Sequence, residues 1–344
     1  MKELIEQIKS KYTGDREKDT EYLLEEMDKY RDNIPVIKEI TKLLYELLPQ
    51  DLKNNFISQL NQGKFGERLG EIREFLAAKN YKGAMKVIDI TMDKIEPVFE
   101  DEKHLYMTFH DPFEAYFYAV TRDDKTKFIK NANLDYGTYY KFKGIALLNL
   151  KRYDEAIVSF NESLKWNPLD FECIFNYAET LFQMEKYEEY LDLNMKTMKK
   201  AYTNYVIAQC YHNVGKYYMT KNTEKDDKFA YMLISYSLSF QETEYAYKNL
   251  NTICEKYKWK KEIAKSDDVF EALKKKKFPT APDEDLIRLL IQIARRFMGV
   301  HDEFSLQVFR LIYHLTHDEI TYQYIKTGER VIAEKKAKAE ENKQ

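Results

Sequence analysis

"YKFKGIALLNLKRYDEAIVSFNESLKWNPLD", residues 140–170, decides how the rest of the chain is read. Laid over residues 171–204, the stretch 137–170 matches at a constant offset of 34. Gly144 meets Ala178, Leu147 meets Leu181, Tyr153 meets Tyr187, Ile157 meets Leu191, and Leu164 meets Met198. That offset belongs to a helix–turn–helix unit whose apolar flanks stay dry only when a neighbouring unit covers them. Small side chains at Gly144 and Ala156 let the two helices of a unit close up. Leu147, Tyr153 and Phe160 fill the space between units, and Pro168 ends the second helix. A third copy spans 205–240, with Val214, Gly215 and Tyr218 in its first helix and Ala230, Ser237 and Leu238 in its second. About three extra residues lengthen its turn.

Composition agrees with a chain built this way. Ten Gly and seven Pro in 344 residues are too few for a fold with many tight β-turns. Aromatic residues reach 15%, carried by 28 Tyr and 20 Phe, which excludes a disordered chain. Charged residues make up 33% but nearly cancel, to a net charge of -3, so no general attraction to nucleic acid or anionic membrane is expected. Cys173, Cys210 and Cys254 are odd in number and widely spaced, which implies no disulfide framework and points to a reducing, cytoplasmic setting. The N-terminal run "MKELIEQIKSKY" lacks a continuous apolar core, and no stretch approaches the ~18 apolar residues of a membrane span.

These residues resemble the tetratricopeptide repeat (TPR) family. Its pattern is met at Tyr140, Gly144, Leu147, Tyr153, Ala156, Phe160, Leu164 and Pro168, and departs at Lys143 and Ser163. The second unit puts Tyr190 at a small-residue position, so packing there must adjust. Tyr81 and Ala84 stand 72 residues before Tyr153 and Ala156, which predicts degenerate helical units over 65–136. The expected fold is an all-α, TPR-type solenoid over 63–258, with a helical bundle or cap at 1–62 and a helical cap with a polar tail at 259–344. The string as a whole also resembles TPR proteins of low-GC Gram-positive bacteria.

The flanks follow the 3.6-residue period. Leu23, Met27, Tyr30 and Ile34 share one face before Pro35; Ile37, Ile40, Leu44 and Leu47 share another before Pro49. Leu52, Phe56 and Leu60 form a third, with Gly63 as its expected stop. In "FHDPFEAYFYAV" (109–120), Asp111, Pro112 and Glu114 read as N-cap, N1 and N3 of an aromatic packing helix. Residues 266–281, which run into "KKKKFPTAP" (274–282), read as a polar linker or exposed turn. Beyond it Leu286, Leu290, Ile293 and Phe297 line one helix, and Phe304, Val308, Ile312 and Leu315 another.

No constellation of catalytic residues stands out, and no metal or cofactor is expected. His314 and His317 stand three apart beside Asp318 and Glu319, but "HDE" at 301–303 and 317–319 is equally a helix start with acids facing the dipole. A metal hydrolase at that cluster is the enzymatic alternative. Cys210 and His212, two apart on a helix, diverge by about 200°. Lysines 256–277 around Trp259 form the one basic region, diluted by acids.

The resemblance implies that the first helix of each unit lines a concave face that binds a peptide or protein segment. Its inward positions fall on Lys141, Phe142 and Ile145, then Phe175, Asn176 and Glu179, then Gln209, His212, Asn213 and Lys216. Asn176 and Asn213 share a register, and an amide both donates to and accepts from an extended backbone. The carboxylate clamp of chaperone-binding TPR proteins is met at Lys141 and Asn176 but not at Ile145, Gln209 or Asn213, so that ligand is not expected. A helical bundle followed by repeats also resembles Rap-type peptide-sensing regulators.

Overall fold

Short turns between amphipathic runs make successive helices antiparallel neighbours, and that rule organises most of the chain. The computed structural model describes residues 2–30, 33–47, 50–92 and 98–341. In chain order the elements are α1 (Lys2–Lys9), α2 (Arg16–Lys29), α3 (Ile34–Leu47), α4 (Gln50–Ala77), α5 (Tyr81–Met92), β1 (His104–Met107), α6 (Pro112–Thr121), β2 (Phe128–Asn131), α7 (Tyr136–Asn149), α8 (Tyr153–Trp166), α9 (Phe171–Gln183), α10 (Tyr187–Met198), α11 (Asn204–Met219), α12 (Glu224–Ser237), α13 (Glu244–Tyr257), α14 (Ser266–Lys276), α15 (Glu284–Phe297), α16 (Asp302–Thr316) and α17 (Glu319–Glu341). No described helix is long and apolar enough to cross a membrane. Contacts divide the chain into residues 1–71 and 72–344.

The first unit gathers Ile8, Leu23, Val36, Ile40 and Leu43 into a small core. Leu23 and Ile40 come from the two faces expected of them. Pro35 sits in the first turn of α3, where a missing N–H leaves no hydrogen bond unmade. Gly63 does not stop a helix: α4 runs unbroken from Gln50 to Ala77. A glycine inside a helix costs about 1 kcal/mol, too little to end one whose flanks are good helix formers. Pro49 and the side chains of Leu52, Phe56 and Leu60 lie outside the described residues.

In the second unit, α7/α8, α9/α10 and α11/α12 are three helical hairpins at the expected boundaries. Their closeness depends on missing side-chain atoms. A Cβ on Gly144 would stand 2.4 Å from Phe160 Cε1, so α7 can lie flat against that ring only as glycine. Gly215 repeats the device in α11, where a Cβ would meet Ile234 Cγ1 at 2.5 Å and the Ala230 carbonyl at 3.1 Å. The departure at Ser163 has its own reason: the fully buried hydroxyl donates to the Gly137 carbonyl at 2.8 Å, tying α8 to α7. Tyr190, at a small-residue position, is buried against Phe182 with ring centroids 5.1 Å apart. The backbones of α9 and α10 accordingly stay farther apart than those of the flanking hairpins.

Two expectations are corrected. Among the described residues of 65–136 the degenerate helical units are interrupted: after the end of α4 and α5, residues 104–131 form a β1–α6–β2 insertion, with His104 to Met107 paired in parallel to Phe128 to Asn131. The strand ends are seated on α8: Thr108 donates its N–H to the Trp166 carbonyl at 2.9 Å, and Phe99 meets the Trp166 ring edge-on at 5.2 Å. Within the insertion α6 starts as read. Asp111 accepts from Glu114 N, and the buried Glu114 carboxylate accepts from His110 N and Asn167 Nδ2. The linker expected at 266–281 is instead largely helix α14, which buries Val269 and Leu273 completely. Lysine charge on one face concealed an apolar stripe on the other. The C-terminal helices also do more than follow the last hairpin. Phe297 on α15 and Phe304 on α16 reach Tyr116 on α6, at 5.0 and 6.2 Å between centroids.

Gly144→Ala is expected to lower stability by about 1–2 kcal/mol, overpacking outweighing the helix-propensity gain. Gly70→Ala, on α4 with nothing near its missing Cβ, is expected to be neutral or stabilising. Urea unfolding of both variants measures the contrast.

Candidate functional site

Residues four apart on a helix share a face. On α9 that places Glu172, Asn176 and Glu179 in a stripe with Phe175 beside them; on α11 it aligns Tyr205, Gln209 and Asn213. The two stripes face one hollow of about 440 Å³, closed on a third side by Gln241, Thr243 and Tyr245 at the start of α13. Local capping positions these walls. Asp170 accepts from Cys173 N at 2.9 Å to start α9, and Thr203 and Thr243 hold the starts of α11 and α13 through their hydroxyls.

Beneath the hollow runs a chain of side-chain hydrogen bonds. The Tyr245 hydroxyl donates to Gln209 Oε1, and Gln209 Nε2 donates to Asn213 Oδ1 at 3.0 Å. Asn213 Nδ2 donates to Asn194 Oδ1 at 2.8 Å, and Asn194 Nδ2 donates to the Tyr190 carbonyl at 2.8 Å. His212 joins from the side. Its Nε2 accepts from Asn249 Nδ2 at 3.0 Å, which leaves the proton on Nδ1, 3.3 Å from Asn213 Oδ1. Burial pushes the His212 pKa down to about 4, so the ring is neutral near pH 7. The chain couples α10, α11 and α13 through groups that would each be costly to leave unpaired.

Residues 138–168 match the tetratricopeptide repeat family model. The match falls on α7/α8, the hairpin closed by Gly144 and Phe160. Among solved structures the chain is similar to the TPR domain of P58(IPK), at 10% identity and a TM-score of 0.33, over 93% of this chain and 79% of that one. No curated protein matches the sequence. The hairpins α7 to α12 thus form a TPR-type helical array, and arrays of such repeats generally serve protein interaction.

In that TPR-type array, Phe175, Asn176, Glu179, Gln209 and Asn213 are brought together on the hollow. Lys216 stands just behind it, its ammonium 2.7 Å from Glu179 Oε2. Lys141, Phe142 and Ile145 are placed elsewhere. Lys141 is buried between the carboxylates of Asp170 at 2.9 Å and Glu172 at 2.8 Å. Burial opposes its charge, but the two carboxylates outweigh burial and hold its pKa above the ordinary lysine value. Phe142 is buried under the Arg73 guanidinium, and Ile145 is half-buried. Asn213 does not present an open amide as expected from its register. Its oxygen already accepts from Gln209 and from His212, and its nitrogen donates to Asn194. Asn176 Nδ2 donates to the Glu172 carbonyl of its own helix at 2.8 Å.

Glu172, Tyr205, Gln241, Thr243 and Tyr245 line the hollow without having been anticipated. Glu172 was within reach of periodicity, one turn before Asn176 on the same face. Tyr245 was not, because α13 begins 40 residues after α11 and breaks the 34-residue register.

None of the other candidate residues lines the hollow. His314 is exposed on α16, and His317 is the left-handed residue that ends that helix. Asp318 accepts from Thr321 N at 2.7 Å to start α17. Among the described residues no group of three or more His, Cys, Asp or Glu is placed to hold a metal ion. Burial raises the thiol pKa of Cys210 well above its usual value. Trp259 stacks on Tyr257 at 4.7 Å, and Lys256 is committed to Asp227 at 2.6 Å.

The depressed His212 pKa has a definite pH consequence. Between about pH 6.5 and pH 4 the unfolded chain binds a proton at this ring that the folded chain refuses, so stability falls as pH falls through that window. The contribution is about 3 kcal/mol in all. His212→Gln is expected to flatten this slope, as read by denaturant unfolding at a series of pH values.

Proposed function

We propose that the protein is a non-enzymatic interaction module that binds a peptide or protein segment in the hollow between α9, α11 and α13. The observation that carries this reading is the hollow itself. At about 440 Å³ it takes two or three side chains, and its walls mix Phe175, Tyr205 and Tyr245 with Asn176, Gln241 and Thr243. Tyrosine and phenylalanine supply contact area at low entropic cost, and the amide and hydroxyl groups offer hydrogen bonds to an extended backbone. The floor of buried, mutually bonded amides holds these walls in place before a ligand arrives, which lowers the cost of binding. Three buried free thiols support a reducing, cytoplasmic setting.

Selection from a random displayed peptide library tests the reading. Selected peptides are expected to bind the wild type and to lose at least about tenfold in affinity on Asn176→Arg, which fills the hollow. Asp192→Arg, on the exposed face of α10, is expected to leave them unchanged. Peptides that bind both variants equally would remove the hollow as the site.

The separate contact unit of residues 1–71 favours a second reading, a peptide-sensing regulator similar to the Rap type, in which occupancy is passed to the N-terminal helices. Small-angle scattering with and without a saturating selected peptide checks it. A changed profile is expected, and an unchanged one retires the regulator while leaving the module.

A further inference from the structure

We infer that the hollow selects a cationic side chain, arginine or lysine, in the partner's segment. The inference rests on the groove reading above and names what that groove recognises. Of the ten residues lining the hollow, Glu172 and Glu179 are charged and none is Lys, Arg or His. The two carboxylates differ in what neutralises them. Glu179 has its own cation in Lys216, whose ammonium is drawn back over the Phe182 ring at 3.7 Å. Glu172 shares the single ammonium of Lys141 with the buried Asp170, so one cation serves two carboxylates and a negative charge is left over.

That surplus lies where a ligand can reach it. The Glu172 side chain is 61% exposed, while Asp170 is buried and already caps α9. Aromatic rings complete the surroundings. Tyr205 is 44% exposed and meets Phe175 edge-on at 6.0 Å. Tyr245 is held by its hydrogen bond to Gln209 and by its edge contact with His212 at 4.7 Å. Burial first, then the neighbouring Tyr245 and the Glu172 carboxylate, raise the Tyr205 hydroxyl pKa, in keeping with a negative field at this end of the hollow.

Three side-chain classes fare differently there. An ammonium or guanidinium meets a carboxylate short of a full counter-charge and the electron-rich faces of tyrosine rings. A carboxylate meets like charge with no cation among the lining residues. An apolar side chain gains contact with the rings but strips water from Glu172 without replacing it. Arginine fits best, because its planar group stacks and forks at once. The same walls disfavour a segment ending in acidic residues, and the missing clamp positions agree.

Positional-scanning nonapeptide libraries, random except for a central Arg, Lys, Gln, Leu or Glu, test this on the full chain. The Arg and Lys libraries are expected to bind about fivefold tighter than the Gln library, with the Glu library weakest. Glu172→Gln and, separately, Tyr205→Leu are expected to shrink the Arg-over-Gln ratio below about twofold. Both positions are exposed enough that folding is retained, and far-UV circular dichroism checks it. Preference for the Leu or Glu library, lost on Asn176→Arg, would overturn the cation and leave the groove standing. An Arg preference unchanged in both variants would also overturn it, placing that preference elsewhere on the surface. Failure of every library would remove the groove reading and this inference together.

Discussion

The Phe160 ring against the bare Cα of Gly144 sets how closely α7 and α8 meet, and the array is built outward from that contact. A hairpin with that spacing leaves apolar surface on both outer flanks, and neither flank stays dry unless the next hairpin covers it. Gly215 against Ile234 and Ala230 imposes the same closeness on α11 and α12. Between them stands the hairpin that breaks the rule. Tyr190 needs the room that a small residue would have left free, and its hydroxyl is buried without a hydrogen-bond partner among the described residues. The wider hairpin is also the one whose α9 supplies the most charged wall of the hollow.

Polar groups then do within the array what apolar packing does between its flanks. Tyr245, Gln209, Asn213 and Asn194 pass hydrogen bonds from α13 through α11 to α10. Each amide is both donor and acceptor, so the order of helices and the tautomer of His212 are constrained together. A neutral imidazole accepting from Asn249 belongs to this arrangement; a protonated one would have no acceptor nitrogen to offer. The lining of the hollow and the structural network therefore share residues. The atoms that face the hollow are the ends of side chains whose other atoms hold three helices in register.

How much of this was legible from residues alone depended on range. The hairpin boundaries, the N-cap at Asp111, and the small positions at Gly144 and Gly215 were legible because their causes lie within one helix or between two consecutive ones. The β1–α6–β2 insertion was not, since its strands are only four residues each and are seated on Trp166, some sixty residues from β1 in the chain. Helix α14 was hidden by its lysines. Lys141 read as an inward-facing binding residue because its register is right, yet its charge is consumed by Asp170 and Glu172, which the register does not mention.

Local periodicity and repeat spacing thus determined that the chain would be helical and where its three clear hairpins begin and end. Those properties follow from side-chain direction along one helix and from the need of each hairpin for a neighbour. Tertiary structure decided which inward residues meet. It spent Asn213 on a buried network, withdrew Lys141 and Phe142, and added Tyr205 and Tyr245. The physical reason is that a side chain's partners depend on distances between helices, and small differences in those distances, one Tyr190 in place of an alanine, redirect hydrogen bonds and charge without leaving a periodic trace.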